Sequence, residues 1–79
     1  MDIIHQPEGQ QFVIEAEGQE AYLRYRINGE RVDFFSTYVP EALRKRGFAE
    51  ALVRKGLAWA KESGLTPEAS CWYAAKFIG

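Results

Sequence analysis

The sequence lacks several features that would each point to a particular class of protein. It has one cysteine in 79 residues, so no disulfide can form within the chain, in keeping with a reducing compartment. No stretch approaches the ~20 apolar residues that a membrane-spanning helix needs. The first residues, 1–5, lack the basic start of a signal peptide. We therefore expect a cytoplasmic protein with no membrane partner.

The chain is also short, which limits how it can fold. Its 79 residues allow one domain, residues 1–79, with a core close to the practical lower limit. A hydrophobic fraction of 47% with 27% charged residues is typical of a globular rather than a disordered chain. We expect one small folded domain.

The formal net charge of −1 hides an uneven distribution. Residues 1–43 contain eight acidic and three basic residues, whereas residues 44–79 contain seven basic and three acidic residues. An acidic first half would attract a cationic molecule such as an amine, although surface acids also serve solubility alone. The slightly negative total and the lack of a continuous basic face argue against nucleic acid as a partner.

The first half of the sequence predicts strands. Residues 3–5 are a candidate edge strand, residues 12–14 form a second, and Glu17 with Gly18 supplies a turn. His5 lies outside every motif, so we expect an ordinary surface or edge side chain there rather than a catalytic one.

The alternation of side chains then predicts a hairpin. In residues 21–27, period-two spacing places Leu23, Tyr25 and Ile27 on one face. Asn28-Gly29 is a strong hairpin signal. A further strand from residue 31 to residue 37 or 38 should return antiparallel, which completes a three-stranded meander with one apolar face.

One long amphipathic helix should cover that face. Helical spacing predicts it over residues 47–63, ended by Gly64. Its apolar positions are Phe48, Ala49, Leu52, Val53, Gly56, Leu57 and Ala60.

The remaining residues predict one more strand. Residues 68–72 should pair parallel to strand 31–38 through a right-handed β-helix-β unit, starting after Pro67 because proline disturbs a strand ladder. Residues 73–78 favour a second, short helix. The expected fold is therefore α/β: an antiparallel meander plus one parallel strand, with one main helix and a short C-terminal helix.

Three consecutive cations, Arg44, Lys45 and Arg46, precede Gly47 at the start of the main helix. Cations there oppose the helix dipole, so either they form a solvated charge cluster or they serve a bound anion. The first N–H groups of a helix have no helical acceptor and attract anions, and glycine allows close approach of a ligand. The loop predicts a phosphate site.

Residues 44–49, Arg-Lys-Arg-Gly-Phe-Ala, resemble the Arg/Gln-x-x-Gly-x-Gly/Ala pyrophosphate loop of the GNAT superfamily of N-acetyltransferases. Together with residues 38–43 and Ser-Cys-Trp-Tyr at 70–73, the pattern is similar to the minimal YjdJ-like branch. The resemblance covers residues 12–78. It implies a GNAT-like mixed sheet and acetyl-CoA as the cofactor.

The resemblance also implies which residues bind coenzyme A (CoA). The loop backbone would hold the pyrophosphate, and the strand end at residues 36–39 would offer N–H groups to the acetyl carbonyl. Arg54 and Lys55, one to two turns further on, could approach the 3′-phosphate. The implied cofactor-binding residues are Tyr38, Val39, Arg44, Lys45, Arg46, Gly47, Phe48, Ala49 and Arg54. No metal site is expected.

For catalysis, the resemblance places Cys71 near the thiol of CoA, either as an acyl-enzyme nucleophile or as a residue lining the pocket. Tyr73 is a candidate to protonate the leaving thiolate. The family's tyrosine usually sits further along, where this chain has Phe77 and Ile78. No base for the amine is evident; the candidates are Glu41, Asp33, Glu30 and a bound water.

The leading interpretation is acetyl transfer from acetyl-CoA to an amine, either a small molecule or a protein lysine. One alternative is a non-catalytic CoA-binding or interaction module on the same fold. A small nucleic-acid-binding domain is the weaker alternative.

Overall fold

The computed structural model describes residues 2–70 and residue 75. Within this part, five strands form one sheet and one α-helix follows the fourth strand. The strands are β1 (Ile4–Gln6), β2 (Gln11–Ala16), β3 (Gln19–Asn28), β4 (Arg31–Tyr38) and β5 (Thr66–Ala69). The α-helix is α1 (Phe48–Glu62), preceded by one 3-10 turn at Glu41–Leu43.

The sheet has the strand order β1-β2-β3-β4-β5. The first three pairings are antiparallel, and β5 pairs parallel to β4 after the α1 crossover. This arrangement confirms the predicted meander extended by one parallel strand. No helix among residues 2–70 is long and apolar enough to cross a lipid bilayer.

The second and third of the three hairpin turns, β2–β3 and β3–β4, rest on backbone with positive φ. Glu17 and Gly18 have φ of 52° and 74°, as a tight turn between β2 and β3 requires. In the next hairpin, Asn28 pairs with Arg31, so the two loop residues are Gly29 and Glu30 rather than Asn28 and Gly29. Gly29, with φ of 63°, then takes the first loop position, which glycine tolerates without strain.

The prediction that β5 begins after Pro67 is wrong. Pro67 lies inside β5 as the partner of Val32, and the strand ends at Ala69. The N–H of Thr66 donates to the Glu30 carbonyl at 2.8 Å. Because successive N–H groups alternate in direction along a strand, the nitrogen of Pro67 faces away from β4, where no ladder bond is lost.

The rest of the predicted C-terminal structure lies mostly outside the described residues. This applies to positions 71–72 of the predicted strand and to the predicted helix over residues 73–78, apart from Ala75, which is helical.

The helix α1 packs on one face of the sheet. Its buried positions are Phe48, Leu52, Val53, Gly56 and Ala60, as the helical spacing predicts. They meet the sheet residues Phe12, Ile14, Ala21, Leu23, Tyr25, Val32 and Phe34. Ile27 shares the predicted face but is 46% exposed, because it lies near the end of β3.

A β-bulge interrupts the pairing of β3 with β4. Tyr25 pairs with Phe34 and Arg24 pairs with Ser36, so Phe35 is the extra residue. The described ladder between β4 and β5 ends at the neighbouring pair, Phe34 with Ala69. Since a bulge bends its strand and increases the local twist, the end of β4 is turned relative to the part that pairs with β5.

The helix approaches the sheet most closely at Gly56. A Cβ at this position would lie 2.8 Å from Cε1 of Phe34 and 2.9 Å from Cδ2 of Leu23. Both side chains are fully buried, so neither can move aside without disturbing its own packing.

We expect Gly56→Ala to destabilise the fold by about 1–3 kcal/mol through overpacking. Helix propensity alone would give the opposite sign, a gain of up to about 1 kcal/mol. Urea unfolding monitored by circular dichroism measures the difference. Ala58→Gly, at an exposed position of the same helix, calibrates the propensity effect. A Gly56→Ala variant as stable as the parent would contradict the packing described here.

Candidate active site at the start of the helix

The loop between β4 and α1 is held between buried anchors. Pro40 and Leu43 are buried on one side of it and Phe48 on the other, whereas residues 44–47 are exposed. Lys45 and Gly47 have φ of 67° and 76°. This left-handed backbone turns the chain from the 3-10 segment into the helix, and at Gly47 it carries no Cβ penalty.

A cavity of about 250 Å³ lies at this turn. Its lining residues are Val39, Leu43, Arg44, Lys45, Gly47, Phe48 and Ala49. The carbonyl of Gly47 accepts the Ala51 N–H at 3.0 Å, and no side chain caps the helix start. The N–H groups of the first turn therefore lack helical acceptors and can bind an anion.

The three loop cations are held differently. Nε of Arg44 donates to the Val39 carbonyl at 3.0 Å, which ties the loop to the end of β4. Arg46 forms an ion pair with Glu17 of the β2–β3 turn. Lys45 is exposed and has no polar partner among residues 2–70. Its ammonium group is therefore the cation most readily available to a ligand.

The other predicted cofactor residues fall into two groups. Ala49 is half-buried in the cavity lining and Phe48 is buried in the core, so Phe48 can offer a ligand chiefly its backbone. Arg54 lies in the second turn of α1, where its guanidinium meets the Glu50 carboxylate at 3.1 Å. That contact leaves Arg54 on the exposed side of the helix.

At the end of β4, neighbouring residues face in different directions. Val39 packs against the core and lines the cavity. Tyr38 is 45% exposed and its ring lies 5.5 Å from that of Tyr22, on the face of the sheet opposite α1. The Tyr38 side chain is thus directed away from the cavity, whose lining begins at the next residue, Val39.

Comparison with known proteins identifies the family of the chain. Residues 11–79 match the family model described as GCN5-related N-acetyl-transferase. The chain belongs to this family. The finding confirms the resemblance carried by residues 44–49 at the level of the superfamily, while its placement in the YjdJ-like branch stays a prediction.

Curated relatives agree along almost the whole chain. Protein NATD1 from Bos taurus is 36% identical over 77 residues, covering 94% of this chain and 68% of the relative. Protein NATD1 from Gallus gallus is 33% identical over 81 residues, covering 99% and 74%. The Homo sapiens protein of the same name is 35% identical over 77 residues, covering 94% and 68%.

The carboxylates considered as bases in this N-acetyltransferase domain are not equally placed. Both oxygens of Asp33 accept hydrogen bonds from Ser70, from its N–H at 2.8 Å and its hydroxyl at 2.7 Å. Glu30 lies at the opposite end of β4 from the cavity, about 25 Å away along the strand. Glu41 is exposed in the 3-10 turn next to the loop. Glu41 is therefore the candidate nearest the cavity.

The predicted catalytic residues Cys71 and Tyr73 lie outside the described residues. The structure does fix the position that precedes them. Ser70 follows β5 and is held by both oxygens of Asp33, so the chain enters residue 71 from an anchored point beside β4.

The expectation for His5 was incomplete. Its ring stacks on Phe12 at 4.2 Å between centroids, lies 5.0 Å from Trp59, and places Nε2 2.6 Å from the Tyr25 hydroxyl. His5 is thus a half-buried member of an aromatic cluster that joins β1 to β2, β3 and α1. The cluster lies apart from the lining of the loop cavity. Nothing in the local sequence signals contacts between residues so distant in the chain.

Burial of His5, and then the positive charge of Lys55, lower its pKa below the usual value of 6.5. Burial also raises the pKa of Tyr25 above its usual value of 10.0. The neutral imidazole is therefore the form that the folded cluster favours.

This lowered pKa predicts a loss of stability in acid. Between pH 6.5 and the lower folded pKa, the unfolded chain binds a proton at His5 that the folded chain does not, so stability falls as the pH falls. We expect a lower free energy of unfolding at about pH 5.5 than at about pH 7.5, measured by urea denaturation. His5→Phe retains an aromatic ring and removes the titration, so its stability should change less. If the free energy of unfolding changed equally with pH in the parent and in His5→Phe, the lowered pKa of His5 could not be the cause.

Proposed function

We propose that this domain binds acetyl-CoA at the start of α1 and transfers the acetyl group to an amine. The observation that carries the proposal is the uncapped, left-handed helix start at Gly47, which opens into a cavity bordered by an available lysine. Membership in the GCN5-related N-acetyltransferase family supports it.

The pyrophosphate of CoA would lie in this cavity, against the loop at residues 44–49; the Arg44 N–H already donates to the Glu41 carbonyl at 3.2 Å, so the N–H groups after it would bind the anion. Exposed cations supply the complementary charge. Lys45 would bind directly, because it has no competing partner in the described part of the chain. Arg44 would act mainly by fixing the loop to Val39. Arg46 is held by Glu17 and would contribute to the local positive potential.

The pantetheine arm would follow the end of β4. The bulge at Phe35 and the end of the β4–β5 ladder at Phe34 support this path, because they turn residues 36–39 away from the parallel pairing. Backbone N–H groups there would polarise the thioester carbonyl, as an oxyanion hole does. Tyr38 and Val39 would take part through their backbone. Arg54, whose guanidinium lies further along α1, is the proposed partner of the 3′-phosphate.

In the reaction, the amine nitrogen attacks the thioester carbonyl carbon, the carbon–sulfur bond breaks, and the thiolate takes a proton as the amine loses one. Cys71 would either carry the acetyl group first or line the pocket, and Tyr73 is the proposed acid. Asp33 is poorly placed to act as the base, because it lies near the far end of β4, outside the cavity lining, and each of its oxygens accepts a hydrogen bond from Ser70. Glu41 or a bound water is then the candidate base that removes the proton from the amine.

A non-catalytic CoA-binding module is the second candidate. The position of Asp33 favours this candidate. Among the described residues, no carboxylate lines the cavity and is held in place to act as a base. Both candidates predict CoA binding, and only the first predicts transfer of the acetyl group.

Reversing the charge of Lys45 should weaken CoA binding. A hydrogen bond to a charged group contributes about 1.5–3 kcal/mol, so Lys45→Glu should raise the Kd for CoA by at least about tenfold, measured by isothermal titration calorimetry. Lys61→Glu, the same charge change at the C-terminal end of α1, is the matched control and should leave the Kd nearly unchanged. Equal Kd values for Lys45→Glu and the parent protein would contradict binding at this loop.

The covalent route makes its own prediction. If Cys71 carries the acetyl group, intact-mass spectrometry after incubation with acetyl-CoA should show one added acetyl group, and Cys71→Ala should abolish it. Ser63→Ala, a substitution at the exposed C-terminal end of α1 that keeps the thiol, should still form the adduct. Full transfer to an amine by Cys71→Ala would exclude the covalent route and leave direct attack.

A further inference from the structure

The face of the sheet opposite α1 carries an apolar row that crosses four strands. Register partners join Ile4 to Val13, Val13 to Tyr22, and Tyr22 to Tyr38, so these four side chains lie side by side. Val13 is fully buried although it is outside the helix-facing core. Ile4 and Tyr38, at the two ends, are each 45% exposed. We call these four residues the apolar row.

Charges of opposite sign flank the apolar row. Two residues away on one side, about 7 Å along the strands, Glu15 of β2 is paired directly with Glu20 of β3. Like charges in this cross-strand position are destabilising. Both are exposed, and neither has an ionic partner within residues 2–70.

On the other side of the row lies Arg24. Its Nε donates to Oε1 of Gln11 at 3.2 Å, and its guanidinium lies 4.2 Å from the centroid of the Tyr22 ring. The side chain is thus held over the sheet face. Along β3, Glu20, Tyr22 and Arg24 therefore give the order acidic, aromatic, basic on one face.

We propose that this face is a homodimer interface whose two-fold axis runs along the apolar row. A rotation of 180° about this axis stacks the apolar row of one copy on that of the other. It also makes the strands of the two copies run in opposite directions. Glu20 of each copy then faces Arg24 of its partner, which relieves the like-charge pairing of Glu15 with Glu20. A self-complementary patch of this kind is what a two-fold dimer requires.

The size of the face is compatible with such an interface. The principal extents of the molecule are 36 × 25 × 16 Å, so the broad side can supply roughly the 800 Å² per partner typical of stable interfaces. The accessible apolar surface of the row comes from Ile4, Tyr22 and Tyr38, and aromatic and apolar side chains of this kind are enriched at interfaces. The inference is independent of the proposed acetyl transfer, because it uses the face opposite α1.

Sedimentation velocity of the full chain over micromolar to near-millimolar concentrations tests the proposal. We expect the mass to rise with concentration from 9.0 kDa to twice that value. Glu20→Arg and Arg24→Glu should each raise the dimer Kd by at least about tenfold, because each places like charges opposite one another twice per dimer. The double variant Glu20→Arg/Arg24→Glu restores opposite charges and should dimerise like the parent.

Glu62→Arg is the matched control, because it makes the same charge change on exposed α1 and should leave the Kd unchanged. A parent protein that stays monomeric throughout would overturn the proposal. Single charge reversals that leave the dimer Kd unchanged would also overturn it. A double variant that is folded but stays monomeric would do the same.

A second measurement needs no variants. In a half-labelled sample of the parent protein, isotope-filtered NMR should show intermolecular contacts from the Ile4 methyl groups and the Tyr38 ring, the two exposed ends of the apolar row. Intermolecular contacts confined to α1 would contradict the proposed interface.

Discussion

The structure depends on the close contact between one helix and one sheet. Within the described chain, α1 is the only helix that covers a face of the sheet. Because Gly56 has no side chain, α1 approaches Phe34 and Leu23 more closely than any other residue there would allow. A domain of 79 residues has few other apolar contacts to rely on. Residues on α1 are therefore constrained first by packing, and only its start and its outer side are available for function.

That constraint also fixes the candidate site. Once α1 lies across the sheet, the loop from β4 must enter it from the end of the strand, and Leu43 and Phe48 hold the loop to the core on either side. The exposed turn between them needs left-handed backbone to lead into the helix, although the space around it is open: a Cβ at Gly47 would meet no atom within 4 Å. Gly47 meets this need with a positive φ, and the unpaired N–H groups of the helix then face outwards beside Lys45. The entry into α1 and the proposed anion binding thus both depend on Gly47.

Much of the fold could be predicted from local signals. Alternation in β3, the glycine in each hairpin and the helical spacing of α1 depend on neighbouring residues, so the sequence alone carries them. The error at Pro67 arose because the rule for proline depends on which side of the strand its nitrogen faces, and this follows only from the register with β4. The contacts of His5 with Tyr25 and of Asp33 with Ser70 join residues far apart in the chain, and no local pattern announces them.

The candidate site, like the fold, could be predicted from the sequence only in part. The basic residues and the glycine at 44–47 were visible as a motif, whereas their individual roles were not. Arg44 bonds to Val39, Arg46 pairs with Glu17, and Phe48 belongs to the core. These contacts follow from how β2, β3 and α1 pack together, which the motif does not show. Of the three loop cations, Lys45 alone is left as an exposed cation without a partner in the described residues.

Amide chemical-shift mapping by NMR is the most direct test of the proposed binding of CoA at the start of α1. Titration of the labelled protein with CoA, and separately with acetyl-CoA, should move the amide resonances of residues 44–49 and of the β4 end at residues 36–39. Amides of the β2–β3 turn away from Arg46 and of the C-terminal half of α1 should stay in place. No shifts at millimolar ligand, or shifts confined to another part of the sheet, would contradict the account.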